Sequence, residues 1–86
     1  MIDIKYSQNL YTNKEKLKEI IKLSEINFSD IVLDIGAGTG IIAEELSRYA
    51  KQVIAYELDQ KYFKKLEEKF KNNSNVVLKN ENFLNV

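Results

Sequence analysis

The sequence predicts an α/β fold in which three parallel strands alternate with helices, and three observations carry that prediction. Short apolar runs recur at Ile31-Val32-Leu33, Val53-Ile54-Ala55-Tyr56 and Val76-Val77-Leu78. Segments with apolar residues at helical spacing separate these runs. A glycine-rich turn, Gly36-Ala37-Gly38-Thr39-Gly40, joins the first run to the helix after it. Strict alternation of strand and helix builds a parallel sheet with right-handed crossovers.

Residues 1–11 are polar with scattered aromatics and show no clear period. Thr12 is placed to cap a first helix, and Glu15 three residues on completes a capping box. Leu17, Ile20, Ile21 and Ser24 then share one face, which predicts a helix over about 13–24. Ile26 and Phe28 are expected to pin the connection into a first strand at 31–35. A second helix over about 40–50 is expected to bury Ile42, Ala43, Leu46, Tyr49 and Ala50. Strand two follows at 52–57. Asp59 caps a third helix, 60–71, with Tyr62, Phe63, Leu66 and Phe70 inward and the lysines at 61, 64, 65, 69 and 71 on a solvated face. Asn72-Asn73-Ser74-Asn75 reads as a turn, and strand three takes 76–78. A doubly wound sheet continues on the far side of strand one. Residues 1–86 therefore read as the first part of a larger domain. The open edge of strand one invites self-association or a swapped dimer.

Composition narrows the function classes. Thirteen basic residues balance thirteen acidic ones, so no global charge favours nucleic acid. There is no cysteine, hence no disulfide, metal-thiolate site or thiol nucleophile. There is no histidine, which removes the commonest general base and metal ligand. No apolar leader and no long apolar run occur, so the chain is expected to be soluble, unexported and cytoplasmic.

The glycine turn and one acid carry the chemistry. Glycines at alternate positions let backbone amides approach a ligand where a side chain would collide. The helix that follows aims its free N–H groups at the same spot, which suits a carboxylate or phosphate. Seventeen residues after Gly40, strand two ends on Glu57, a carboxylate placed to grip a ribose diol. Together they point to a nucleoside cofactor. The dinucleotide fingerprint G-x-G-x-x-G puts its third glycine where this chain has Ile41, with Gly40 one residue early. No Lys-Ser or Lys-Thr follows the glycines, which rules out a P-loop. Asp34 either ties down the glycine turn through backbone amides or contacts the cofactor. A nicotinamide or flavin fragment, and a plain turn with no ligand, stay as alternatives.

Asp34 followed by Gly-x-Gly-x-Gly resembles the first motif of class I methyltransferases, which bind S-adenosylmethionine. Four segments in order resemble the rRNA adenine N6-dimethyltransferase family. They are Tyr6-Ser7-Gln8-Asn9-Leu10-Tyr11-Thr12, Val32 to Gly40, Val53-Ile54-Ala55-Tyr56-Glu57-Leu58-Asp59, and Asn80-Glu81-Asn82-Phe83-Leu84. The short stretch before Gln8 leans toward the macrolide-resistance branch. The resemblance implies the N-terminal half of a Rossmann-like class I methyltransferase domain acting on ribosomal RNA, with S-adenosylmethionine as cofactor. It implies that Gln8, Asn9 and Tyr11 border the methionine end, and that Gly36, Gly38 and Gly40 allow close approach. By the same resemblance, Glu57 takes both ribose hydroxyls. Asn82 faces the adenine amino group, and the Phe83 amide is available to ring N1.

Three departures stand out. Leu10-Tyr11 replaces the family's Phe-Leu, Asn82 replaces its Asp, and the chain contains no proline. The family's Asn-aliphatic-Pro-aromatic motif, which holds the target adenine, is therefore absent, and the 86-residue chain is expected to be inactive on its own.

Overall fold

The computed structural model describes residues 13–85. Three helices and three strands alternate as α1 (Lys14–Leu23), β1 (Ile31–Ile35), α2 (Ile41–Leu46), β2 (Gln52–Tyr56), α3 (Gln60–Phe70) and β3 (Val76–Lys79). A 3₁₀ turn, Phe83–Asn85, closes the described segment. The strands are parallel in the order β1-β2-β3.

Register decides which residues share a face. Val32 lies beside Val53, Asp34 beside Ala55, Val53 beside Val76, and Ala55 beside Leu78. Side chains alternate along a strand, so these residues project to one side of the sheet. The apolar members of this set join one core with Leu17 and Ile21 of α1, Ile42, Ala43 and Leu46 of α2, and Leu66 and Phe70 of α3. The opposite face carries Ile31, Leu33, Ile54 and Val77, all half-buried except the exposed Ile31. Strands apolar on both faces are the mark of a parallel sheet built for two covered sides.

Local chemistry sets each boundary. The cap of α1 is Asn13, whose Oδ1 accepts the Lys16 amide at 3.0 Å; Thr12 lies outside the described residues. Asn is the stronger N-cap of the two. Ser24, expected on the buried face, is exposed and ends the helix, its hydroxyl donating to Ile21 O at 2.7 Å. Phe28 does not pin the next loop, being 77% exposed. Asn27 and Asp30 hold that loop instead, through Asn27 N–H to Asp30 Oδ2 and Ser29 N–H to Asn27 Oδ1, each 2.9 Å. Such short-range turns need no buried ring. Ile26 does pack against the core.

The second helix stops at Leu46 rather than running to residue 50. The Ser47 hydroxyl donates to Glu44 O at 2.6 Å, and the amides of Arg48 and Tyr49 reach back only three residues. Asn75 Nδ2 donates to Ser47 O at 2.7 Å, so that carbonyl serves β3's entry instead of a longer helix. Asp59 caps α3 as expected, accepting the Lys61 and Tyr62 amides at 2.8 and 3.2 Å. Leu66 and Phe70 are buried and Phe63 is half-buried, but Tyr62, expected inward, is 42% exposed.

Candidate functional site

The glycine turn hangs from the end of the neighbouring strand. The Gly36 and Ala37 amides both donate to Tyr56 O, at 2.9 and 3.0 Å. Gly36, Gly38 and Gly40 have φ of 75, 56 and 83°, the left-handed region that side-chain-bearing residues avoid. Among the described residues nothing lies within 4 Å of a Cβ built at Gly36. Gly40 faces the protein: its Cβ position lies 2.8 Å from Leu66 Cδ2 and 2.9 Å from Phe70 Cε2. One glycine leaves room for a ligand, whereas the other lets α3 pack under the turn.

Glu57 binds the two loops together. Its Oε1 accepts the Gly38 amide at 2.7 Å and its Oε2 accepts the Asp59 amide at 2.9 Å. The loop-tethering role considered for Asp34 thus belongs to Glu57 among the described residues. A carboxylate oxygen has two acceptor sites. One on each oxygen remains for a further donor, which is what a vicinal diol presents.

Asp34 is 6% exposed, and its Oδ2 has no partner among the described residues. Register puts it on the same sheet face as Ala55, with Glu57 two residues further on. Burial first, and the Glu57 charge second, push its carboxyl up from 3.8 to about 6. Between those values the folded chain holds a proton that the unfolded chain has released. Stability from this group therefore falls as pH rises from about 4 to about 6 and is level above that window. In Asp34→Asn this falling limb should vanish, with the variant gaining about 1–3 kcal/mol over the parent at neutral pH. Urea unfolding on both sides of the window checks it. An identical slope in the two proteins would assign the limb to another group.

A cleft of about 200 Å³ opens over these residues, lined by Ile35, Gly36, Tyr56, Glu57, Leu58 and the segment Glu81-Asn82-Phe83. The Asn82 Oδ1 accepts the Leu84 amide at 2.9 Å and so caps the 3₁₀ turn, leaving its NH2 as the unengaged end. The Phe83 ring meets Tyr56 edge-on, with centroids 5.3 Å apart. Larger hollows of about 380 and 400 Å³ lie at the β1 edge and beside α1, and neither touches the glycine turn. Whole small-molecule sites span roughly 300–1,000 Å³, so the strand-end cleft has the size of one part of such a site. Gln8, Asn9 and Tyr11 lie outside the described residues.

Sequence reasoning missed two features here. Glu45 is buried to 1% exposure on α2 and pairs with Arg48, while its Oε2 has no partner among the described residues. The i,i+3 spacing of an acid and a base was the legible signal. Asn80 Nδ2 donates to Glu57 O at 2.9 Å and Leu58 O at 3.3 Å, a contact with no local signature.

Solved methyltransferases share this fold. The 23S rRNA methyltransferase ErmE superimposes with a TM-score of 0.78 at 31% identity, covering 86% of this chain and 30% of that one. A dimethyladenosine transferase from Plasmodium falciparum gives 0.74 at 29%, over 86% of this chain and 28% of its own. The fold is the N-terminal part of a Rossmann-like class I methyltransferase domain. More particularly, the chain belongs to the ribosomal RNA adenine dimethylase family, whose model matches residues 2–86. Ribosomal RNA small subunit methyltransferase A of Caldanaerobacter subterraneus is 38% identical, over 95% of this chain and 31% of that protein. An rRNA adenine N-6-methyltransferase of Escherichia coli is 39% identical, over 95% of this chain and 34% of its length. The chain thus spans about a third of these relatives.

Proposed function

We propose that the chain is the S-adenosylmethionine-binding part of an rRNA adenine N6-methyltransferase. The observation that carries this reading is the Glu57 carboxylate, held on the Gly38 amide at 2.7 Å beside the open face of Gly36. Glu57 would take the ribose hydroxyls on its free acceptor sites, and Gly36 and Gly38 would let the backbone approach. Gly40 would set the turn that brings them there. Asp34, buried with an orphaned oxygen, offers negative charge for a cationic cofactor. Asn82 and Phe83 would border the adenine, with the Asn82 NH2 suited to a ring-nitrogen acceptor rather than to the exocyclic amino donor. Gln8, Asn9 and Tyr11 are assigned to the methionine end by family resemblance alone. When bound, S-adenosylmethionine supplies an electrophilic methyl group on a sulfonium.

The family's adenine-holding Asn-aliphatic-Pro-aromatic motif does not occur within these 86 residues, which contain no proline. The ribosomal RNA substrate is inferred from the relatives' names. Both kinds of relative match at 38–40% identity, so the reading is of the family and not of a resistance or housekeeping branch. Family membership leaves the oxidoreductase alternative without support. A cytoplasmic setting follows from an rRNA substrate. No described helix is long and apolar enough to cross a membrane.

The edge of β1, unpaired among the described residues and carrying Ile31 at 56% exposure, supports self-association of this chain. One experiment addresses both points: titration calorimetry with S-adenosylmethionine and then NAD, on samples whose mass is read by light scattering. Binding of the first alone, by a species of twice the chain mass, is expected. Preference for NAD would sink the cofactor assignment, and a monomer at high concentration would sink the edge pairing.

A further inference from the structure

We infer that Asn80 is a positioning residue for Glu57, holding the turn after β2 so that the carboxylate meets a ligand diol. The inference rests on the ribose reading of Glu57 and deepens it. Asn80 follows directly on β3, and its Nδ2 reaches across to the carbonyls of Glu57 at 2.9 Å and Leu58 at 3.3 Å. The parallel ladder makes its last bond beside this contact, from the Glu57 amide to Lys79 O at 2.9 Å. The peptide groups on both sides of the Glu57 Cα are therefore fixed by consecutive residues of β3's end.

Packing does not do this work, since the next side chain, Leu58, is 62% exposed. The carboxylate already holds the Gly38 and Asp59 amides, one on each oxygen, which leaves one acceptor site on each for the diol. Were the turn to drift, those two bonds would pull Glu57 away from the cleft. Asn is suited to the task because its amide supplies donors on a short stem. Asp at this position has none and would set a charge against two carbonyl oxygens. Ser is too short to span the gap.

The test uses S-adenosylhomocysteine and its 2′,3′-dideoxy analogue, titrated into the 86-residue chain and into Asn80→Asp and Asn80→Ser, each checked for fold by circular dichroism. The parent should favour the diol-bearing ligand by about tenfold or more. In the variants that preference should shrink to about twofold while binding of the dideoxy ligand is kept. A residue that merely supports the scaffold would weaken both ligands alike, and that result overturns the inference. Full diol preference in both variants overturns it too, leaving Glu57's role intact. Equal binding of the two ligands by the parent overturns the Glu57 reading beneath it.

Discussion

Replacing Gly40 by alanine is expected to cost about 2–5 kcal/mol of stability, summing left-handed strain of about 1–2 with over-packing of about 1–3. The left-handed φ of 83° accounts for the first contribution. The second arises because the new methyl would sit 2.8 Å from Leu66 Cδ2 and 2.9 Å from Phe70 Cε2. Those side chains are 1% and 5% exposed, so giving way means shifting within the core. A chain this small has only several kcal/mol in hand, so the melting temperature should fall by roughly 10–30 °C. Gly36→Ala is the matched control. Its φ of 75° gives the same strain, but its Cβ meets nothing, so its loss should stay near 1–2 kcal/mol. Thermal unfolding followed by circular dichroism separates the two. Coincident melting curves would show that α3 does not press on the turn.

Glu57→Gln should weaken S-adenosylmethionine binding by about 10–100-fold, the worth of a charge-assisted bond or two to the ribose. The substitution keeps shape but gives one carboxylate oxygen over to an NH2. That NH2 must then face either the Gly38 or the Asp59 amide, donor against donor, where both bonds are made now at 2.7 and 2.9 Å. A stability loss of about 1–3 kcal/mol should accompany the loss of affinity. The same change removes the second cause of Asp34's raised pKa, so the Asp34 carboxyl should move down from about 6, with burial still holding it above 3.8. Calorimetric titration reads the first effect and NMR titration of the Asp34 carboxyl the last. Unchanged affinity in a folded variant would mean that Glu57 serves only to lace the loops.

The two variants differ in what they report. Gly40 lies under the site and Glu57 lies in it, yet the two are four and nineteen residues from Gly36 and Gly38 in the chain, respectively. Both act through one bond pattern, in which the glycine turn hangs from Tyr56 O and is laced by Glu57. Damage to either should therefore loosen the same turn.

Element order was legible in the chain because its signals are local. Apolar runs, helical spacing, the Asp59 cap and the glycine turn each depend on neighbours within a few residues. β1 and its turn, the start of α3 and the place of Glu57 just after β2 all follow from such signals. The misjudged details share a different cause. Phe28 and Tyr62 look like core residues by type, but exposure depends on what lies opposite, and Asx bonds hold the Phe28 loop without its ring. The end of α2 turned on Asn75, which takes Ser47 O from twenty-eight residues away.

The sequence by itself determined the class of fold, the glycine turn and the acid that follows β2, since periodicity and backbone preference encode these within short windows. Only the tertiary structure decided that Gly40 is reserved for packing, that Glu57 rather than Asp34 laces the loops, and that Asn80 holds Glu57 from the next strand. Those roles arise from distances between residues far apart in the chain, which strand register and helix packing set together.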